Sequence, residues 1–368
     1  MTISEIEIYK CPIKLKEPFV ISLGIHHYAE NIIVLIRTNT GLTGTGECCP
    51  FKPINGESME GAYAIAPLLA QSLIHKNPLE IEECSALLDK IIYGNSSIKS
   101  AFDIALHDIA AQNAKVPLYQ FLGGENNKKI ITDYTVSINN VEKMAADALK
   151  IKNNGFQFIK IKLGGSKKED VARIKAIRDA VGNNIPLRID ANQGWKAEEA
   201  VDILNTLSEF NIQHCEEPIP RWDFMELPRI KKESKISIMA DESCCDHHDA
   251  KRLIALNACD QFNVKLGKSY GLLKAQKIIR LAEEAGINVQ LGGFLESRIH
   301  FTAAAHLALT SGNIIHYDFD SPLMFEEDPV LNGISYTKEG EIILPELPGL
   351  GASISEDYLK NLERKVIN

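Results

Sequence analysis

The segment Phe158-Ile159-Lys160-Ile161-Lys162-Leu163-Gly164 puts two lysines on one face of a short apolar strand and starts the rhythm that decides the fold. Charged residues close the later apolar runs. Asp190 ends Leu-Arg-Ile-Asp, Glu216 ends Ile-Gln-His-Cys-Glu, Asp241 ends Ile-Ser-Ile-Met-Ala-Asp, and Lys265 ends Phe-Asn-Val-Lys. The steps from 162 to 190, 216, 241 and 265 are 28, 26, 25 and 24 residues, and a double step of 53 reaches Asp318 and Asp320. One strand, one helix and two short loops take about that many residues, so the segment from Ile130 reads as a (β/α) barrel. Charges at the C-terminal ends of its strands face one shared mouth, where such barrels build their active sites.

Working outward, strands are expected near 131–138, 158–163, 187–191, 212–217, 236–242, 261–266, 288–292 and 314–318, with helices between them. Before the barrel the period differs. Ile3–Tyr9, Phe19–Leu23 and Asn31–Thr38 alternate as three short strands, Gly44-Thr-Gly46 reads as a β-turn, and Ser58 to Leu122 is helical in period. The fold class expected is α/β: a (β/α)7β TIM-like barrel over 125–320 with an N-terminal α+β capping domain over 1–124. The segment 321–368 loses the barrel period and is expected to return to the capping domain, where its apolar residues find a surface.

The 368 residues suffice for a barrel of roughly 250 residues plus a smaller domain. A net charge of −9 argues against nucleic acid or an anionic membrane as partner. The opening Met1-Thr-Ile-Ser-Glu-Ile-Glu has no apolar core of a signal peptide, and no apolar run approaches the length of a membrane span. Eight scattered cysteines without Cys-x-x-Cys spacing read as reduced thiols of a cytoplasmic protein. Cys244-Cys245-Asp246-His247-His248 reads as surface at the start of a helix rather than a zinc site, because it lacks a second ligand pair. A homo-oligomeric state is left open.

Asp190, Glu216 and Asp241 end three consecutive strands and converge on one edge of the mouth. Three close carboxylates repel unless a cation neutralises them, and an all-oxygen set suits Mg²⁺. The plainer reading, acids capping the next helices, explains one of them better than three in register. Lys160 and Lys162 point into an interior normally filled by branched apolar residues. Crowding of the two is expected to lower a lysine pKa and so prepare a general base. Lys265 faces them from the sixth strand. Two lysines across a cation-bound substrate suit proton removal from one face and return on the other, which inverts a centre α to a carboxylate. Closing a gap of the order of ten pK units takes about 14 kcal/mol. Mg²⁺ and Lys160 beside the developing enediolate are the available source. A Schiff-base barrel enzyme or a non-catalytic binding barrel would leave the three acids unexplained.

Lys160-x-Lys162, Asp190-Ala-Asn192-Gln-Gly-Trp195, Glu216-Glu-Pro218, Ala240-Asp241-Glu-Ser243 and Asn263-Val-Lys265 together resemble the enolase superfamily, muconate-cycloisomerase-like subgroup. The resemblance spans the whole chain. It implies Asp190, Glu216 and Asp241 as ligands of one Mg²⁺, Lys162 and Lys265 as the acid/base pair, and Lys160 as their electrostatic partner. Glu217 and Glu242 follow two of those ligands and should turn away from the metal by strand alternation.

At the eighth strand, Asp318-Phe-Asp320 forms an anionic pair suited to a substrate ammonium. It resembles the signature by which dipeptide epimerases hold the N-terminal ammonium of their substrate. Thr132-Asp-Tyr-Thr135-Val-Ser137 and Leu295-Glu296-Ser297 also look like that family, and Thr135, Phe294, Glu296 and Ser297 are expected as substrate contacts. Members acting on Ala-Glu carry an arginine in the loop that here spans residues 19–29. Gly24 stands at that position, and the loop has no Arg or Lys. With Phe19, Val20, Ile21, Leu23 and Ile25 about it, the loop suits Ala-X dipeptides whose X is small or hydrophobic. The alternatives are an Ala-Glu epimerase, an o-succinylbenzoate synthase or an N-acylamino acid racemase of the same subgroup.

Overall fold

Apolar residues run unbroken through Ile32–Ile36 of the N-terminal segment because both faces of its sheet are covered there. The computed structural model describes all 368 residues. In it, strand Ile3–Ile21 turns at Ser22-Leu23 and returns antiparallel as Gly24–Thr38. Thr43–Cys48 pairs with the second strand, and the C-terminal Arg364–Ile367 pairs with the first, completing a four-stranded sheet. Phe19–Leu23 is therefore not a separate strand. The polar run Lys14 to Glu17 looks like a break in the sequence, but an irregularity between Lys14 and Phe19 absorbs it and the pairing resumes. Ile6, Ile8, Ile32, Val34 and Ile36 face the helices Met59–Leu73 and Ser96–Ala114, while Tyr9, Cys11, Ile13, Ile33 and Leu35 join the core shared with the barrel. The capping sheet is thus packed on both sides, which fixes its loops over the barrel mouth.

Gly44 and Gly46 are not a turn. Both lie in strand Thr43–Cys48 pressed against the helix Ser96–Ala114, where a Cβ would stand 2.1 Å from Ala105 O or 1.8 Å from Ala101 O. Glycine inside a strand here marks close backbone approach. Gly46→Ala is expected to destabilise the protein by about 3 kcal/mol through overpacking, read as a fall in the urea midpoint at unchanged m-value. An unchanged midpoint would contradict this account of the glycine.

The barrel strands are Tyr134–Val136, Ile159–Lys162, Leu187–Asp190, Ile212–Glu216, Ser237–Ala240, Gln261–Lys265, Asn288–Gly292 and Ile314–Tyr317, here the first to eighth. They form one parallel sheet in sequence order, with a helix after each of the first seven. First and last meet where Asp133 N–H donates to Tyr317 O at 3.2 Å and Phe319 N–H to Thr132 Oγ1 at 2.8 Å. The first strand is shorter than the sequence suggests. Ile130–Ile131 leaves it to pair with Glu341–Ile343 instead.

Local signals fix the helix starts. Ser166 and Glu169 form a capping box on Lys167–Val181, and Asp246 with Asp249 forms another on His247–Ala255. The second accounts for the Cys244–His248 segment: the acid caps the helix and the thiols are free. No helix is long and apolar enough to cross a membrane.

Candidate active site

Parallel register decides which side chains share a layer at the mouth. Lys162 pairs with Asp190 and Asp190 with Glu216, so the three stand side by side at the ends of the second, third and fourth strands. Asp241 follows the fifth strand directly and Lys265 ends the sixth. All are buried, as is Lys160. Gly292, opposite Lys265, is forced by crowding: a Cβ there would lie 2.9 Å from Asn263 Oδ1 and 3.4 Å from Asp318 Oδ2.

Lys160 Nζ lies 2.8 Å from Glu216 Oε2, 2.7 Å from Asp318 Oδ2 and 3.2 Å from Asp190 Oδ2. Lys162 Nζ is 2.6 Å from Asp190 Oδ2, and Lys265 Nζ is 2.7 Å from Asp241 Oδ2. Glu216 also accepts hydrogen bonds from Asn263 Nδ2 at 2.8 Å and Gln290 Nε2 at 3.1 Å. The lowering of pKa expected from crowding Lys160 against Lys162 is overturned at Lys160, and Lys265 behaves alike. Burial pulls Lys160 and Lys265 down, but Asp318, Glu216 and Asp190 around the first, and Asp241 and Glu216 around the second, outweigh it and hold both above the ordinary lysine range. Neighbouring lysines in the sequence set ammonium against ammonium, whereas the folded site sets each against carboxylates.

Glu216, despite burial, is held well below the usual carboxylate range by Lys160 and Lys265, whereas burial and Glu216 push Asp190 up. No three His, Cys, Asp or Glu side chains converge as they stand on a common ligand point, since each of the three acids is turned onto a lysine. The donor chemistry nevertheless fits a hard cation. All three offer oxygen from neighbouring strand ends, and Asp241 Oδ1 is buried without a well-aligned hydrogen bond. The only charge beside that oxygen is the Lys268 ammonium, 2.8 Å away, while Lys265 faces Oδ2.

Lys268 is a residue the sequence reading missed. Fully buried, it donates to the carbonyls of Asp241, Cys244 (2.8 Å) and Asn263 (2.7 Å), binding the loops after the fifth and sixth strands together. Glu217 turns away from the acids, as alternation requires, and accepts from Ser243 and from Asp241 N at 2.7 Å. Glu242 is buried beside Asn192, with Oε2 unpartnered.

A pocket opens above the charged layer. Lys162 and Lys265 both line it, with Asn192, Thr135, Asp318 and Asp320 as its other polar wall. Phe19, Ile21, Phe51, Ile54, Phe294 and Met324 supply the apolar wall. Asp320 Oδ2 accepts from Thr135 N at 2.6 Å. Against burial, Lys160 and Lys162 hold Asp318 below the usual carboxylate range, while burial and Asp318 push Asp320 up to about 7.

Four expected substrate contacts lie elsewhere. Gly24 and Ile25 do not line the pocket, and Ile25 is 62% exposed, because the tight turn at Ser22-Leu23 carries them outward. Ser22 Oγ instead docks the loop by donating to Asn192 O at 2.7 Å. Ser297 caps the helix Arg298–Ala308 and donates to Glu47 at 2.7 Å, tying barrel to cap. Glu296 is buried beneath the loop rather than in the pocket. Phe51, Ile54, Asn192 and Met324 line the pocket unforeseen; the first two come from the capping unit, where no local motif marks them.

Residues 3–123 match the N-terminal domain of mandelate racemase and muconate lactonizing enzyme, and residues 143–358 match the enolase C-terminal domain-like family. The chain belongs to the enolase superfamily. Within it the chain is 58% identical to a D-Ala-D/L-Ala epimerase of Cytophaga hutchinsonii, over 100% of both chains. The solved structure of a dipeptide epimerase from that organism, complexed with Mg and D-Ala-L-Val, superposes with a TM-score of 0.99 over 100% of both chains at 58% identity. A hydrophobic dipeptide epimerase of Enterococcus faecalis is 40% identical over 96% of this chain and 100% of its own. An N-succinyl-Arg/Lys racemase of Bacillus cereus is 34% identical in its solved structure, with a TM-score of 0.96 over 100% of both chains. The enolase-superfamily frame is therefore shared by dipeptide epimerases and by an N-succinyl-Arg/Lys racemase.

Proposed function

We propose that this chain is an isomerase that inverts the second-residue Cα of Ala-X dipeptides, X being small or hydrophobic, with Mg²⁺ as cofactor. The observation that carries the reading is one pocket lined by two lysines, by a pair of acids and by an otherwise apolar wall. Asp190, Glu216 and Asp241 would hold the cation. When bound, it would offset the negative charge of those acids beside the lysines and take up charge developing on the substrate carboxylate.

Lys162 and Lys265 come from the second and sixth strands, on different sides of the pocket. One as free amine takes the α-proton while the other, as ammonium, returns a proton to the opposite face. Lys160 sits below as a fixed positive charge, and Asp318 and Asp320 hold the substrate ammonium. The side chain of X meets Phe19, Ile21, Ile54 and Phe294. No Arg or Lys besides the two pocket lysines lines that wall, so a glutamate side chain would be buried there without a dedicated partner. The unit 1–124 serves as the cap that shapes this wall and 125–320 as the barrel that carries the chemistry, with 321–368 completing the cap. Cytoplasmic action without a nucleic-acid or membrane partner goes with the same reading, given a net charge of −9.

Incubating Ala-Ala, Ala-Val and Ala-Glu, in all stereoisomers, with enzyme and Mg²⁺ in D₂O tests the proposal. Deuterium is expected at the second Cα, with kcat/KM for Ala-Ala or Ala-Val at least tenfold above that for Ala-Glu. Exchange in none of the dipeptides would sink the reading, and preference for N-acylated amino acids would replace it with the racemase alternative.

A further inference from the structure

The loop after the seventh strand, Gly293-Phe294-Leu295-Glu296, sets an aromatic ring against a pocket lysine. Lys265 Nζ lies 5.1 Å from the Phe294 ring centroid. That ring stacks on Phe51 of the cap at 5.3 Å and 7°. A ring so placed shields one side of the amine from water while its face favours the ammonium. Something must hold a ring carried on a loop.

Glu296 is 0% exposed, and its Oε2 accepts from Phe294 N at 2.5 Å. Its carboxyl is wedged under the loop. A Cβ on Gly293 would come 2.8 Å from Oε2, and one on Gly267 would come 3.3 Å from both Oε1 and the Phe294 ring. Glu296 O also accepts from Ser321 Oγ at 3.0 Å, next to Asp320. One atom is left over. Oε1 has no hydrogen-bond partner, and neither does His300 Nε2, 3.6 Å away. His300 Nδ1 faces the carbonyl of Glu47 at 3.4 Å, an acceptor only, so the ring proton belongs on Nδ1 and Nε2 presents a lone pair.

We infer that Glu296, bridging the Phe294 amide and His300, is a positioning residue that seats the Phe294 ring against Lys265. Two facing lone pairs repel, and a proton on Glu296 Oε1 turns the contact into a donor aimed at Nε2. Burial supports this assignment by pushing Glu296 up to about 8 and His300 down to about 4. The role toward Lys265 rests on the proposed function; the bridge to His300 does not.

The test uses the full-length Mg²⁺-loaded enzyme in D₂O, with the two second-residue epimers of Ala-Ala followed separately by proton NMR. Glu296→Ala is expected to lower inversion at least tenfold, while exchange without inversion persists from the epimer whose proton faces Lys162. Glu296→Gln keeps an oxygen for Phe294 N–H and an N–H donor for His300, and is expected to restore inversion to within about threefold. Phe294→Leu leaves Glu296 in place and should show the same one-sided loss, which covers an Ala variant that does not fold. Equal loss from both epimers, or a Gln variant as impaired as Ala, overturns the role. Side-chain nitrogen shifts of His300 give a readout that needs no turnover. An Nδ1–H tautomer with a hydrogen-bonded Nε2 is expected, and an Nε2–H tautomer or an imidazolium overturns the bridge. Absence of exchange in the unaltered enzyme would overturn the proposed function and the role toward Lys265 with it, whatever the histidine shows.

Discussion

Lys265→Ala is expected to lower inversion of Ala-Ala by about a thousandfold, the scale of general acid–base catalysis, while deuterium still enters one of the two epimers. In the proposed two-base reaction each lysine attends one face, so the variant keeps the base on the other. The epimer whose α-proton faces Lys162 still loses that proton and regains a deuteron there without inverting. Lys162→Ala should give the mirror result, with the other epimer exchanging. Substituting either lysine also strips a buried acid of its countercharge: Asp190 loses Lys162 at 2.6 Å, and Asp241 loses Lys265 at 2.7 Å but keeps Lys268. A thermal melt of each variant separates this effect from the catalytic one. The signature is the asymmetry. Loss of exchange from both epimers in a folded Lys265→Ala enzyme would mean that one base serves both faces, and two-base chemistry would be abandoned.

The elements of that argument were legible in the sequence to unequal degrees. Strand-end charges at intervals of 24 to 28 residues are a period, and a period survives translation into space because each βα unit repeats the last. Lys162, Asp190 and Glu216 consequently share a register layer. Residues on the hairpin were harder. Alternation tells that Phe19 and Ile21 share a face, but a two-residue turn decides which face looks at the pocket and sends Gly24 and Ile25 outward. Ser297 and Glu296 sit in a stretch that resembles a substrate loop, yet their partners are Glu47, 250 residues away, and a histidine inside the next helix. Lys268 has backbone carbonyls for most of its partners, and carbonyls leave no mark in a sequence. Protonation was the least legible property. It depends on which opposite charges lie within about 4 Å, and that is known only once the strands are paired.

Asp320 offers the other large effect because its charge is the one in the pocket most open to change. Asp318 shares its negative charge with Lys160 at 2.7 Å, whereas Asp320 faces the Thr135 amide, Asp318 itself and, more distantly, Lys160. Its carboxyl, pushed up to about 7 by burial and by Asp318, titrates in the working range. The sign follows. On the proposed binding mode, below pH 7 the carboxyl is protonated and the substrate ammonium meets one acid; above it the ammonium meets two. In the unaltered enzyme kcat/KM for Ala-Ala should therefore rise as pH passes from 6 to 8, with a smaller change in kcat because a bound ammonium keeps Asp320 ionised. Asp320→Asn retains an oxygen for Thr135 N–H but removes the charge. Loss of a hydrogen bond to a charged group is worth about 1.5–3 kcal/mol, or roughly 10- to 150-fold in kcat/KM, and the pH step should vanish with it. N-acetyl-Ala-Ala, which carries no ammonium, serves as the control substrate. Its turnover, expected to be slow in the unaltered enzyme, should change little on Asp320→Asn. An Asn variant that keeps both the rate and the step would move the ammonium away from the eighth strand and leave Asp318 and Asp320 as the turn that closes the barrel.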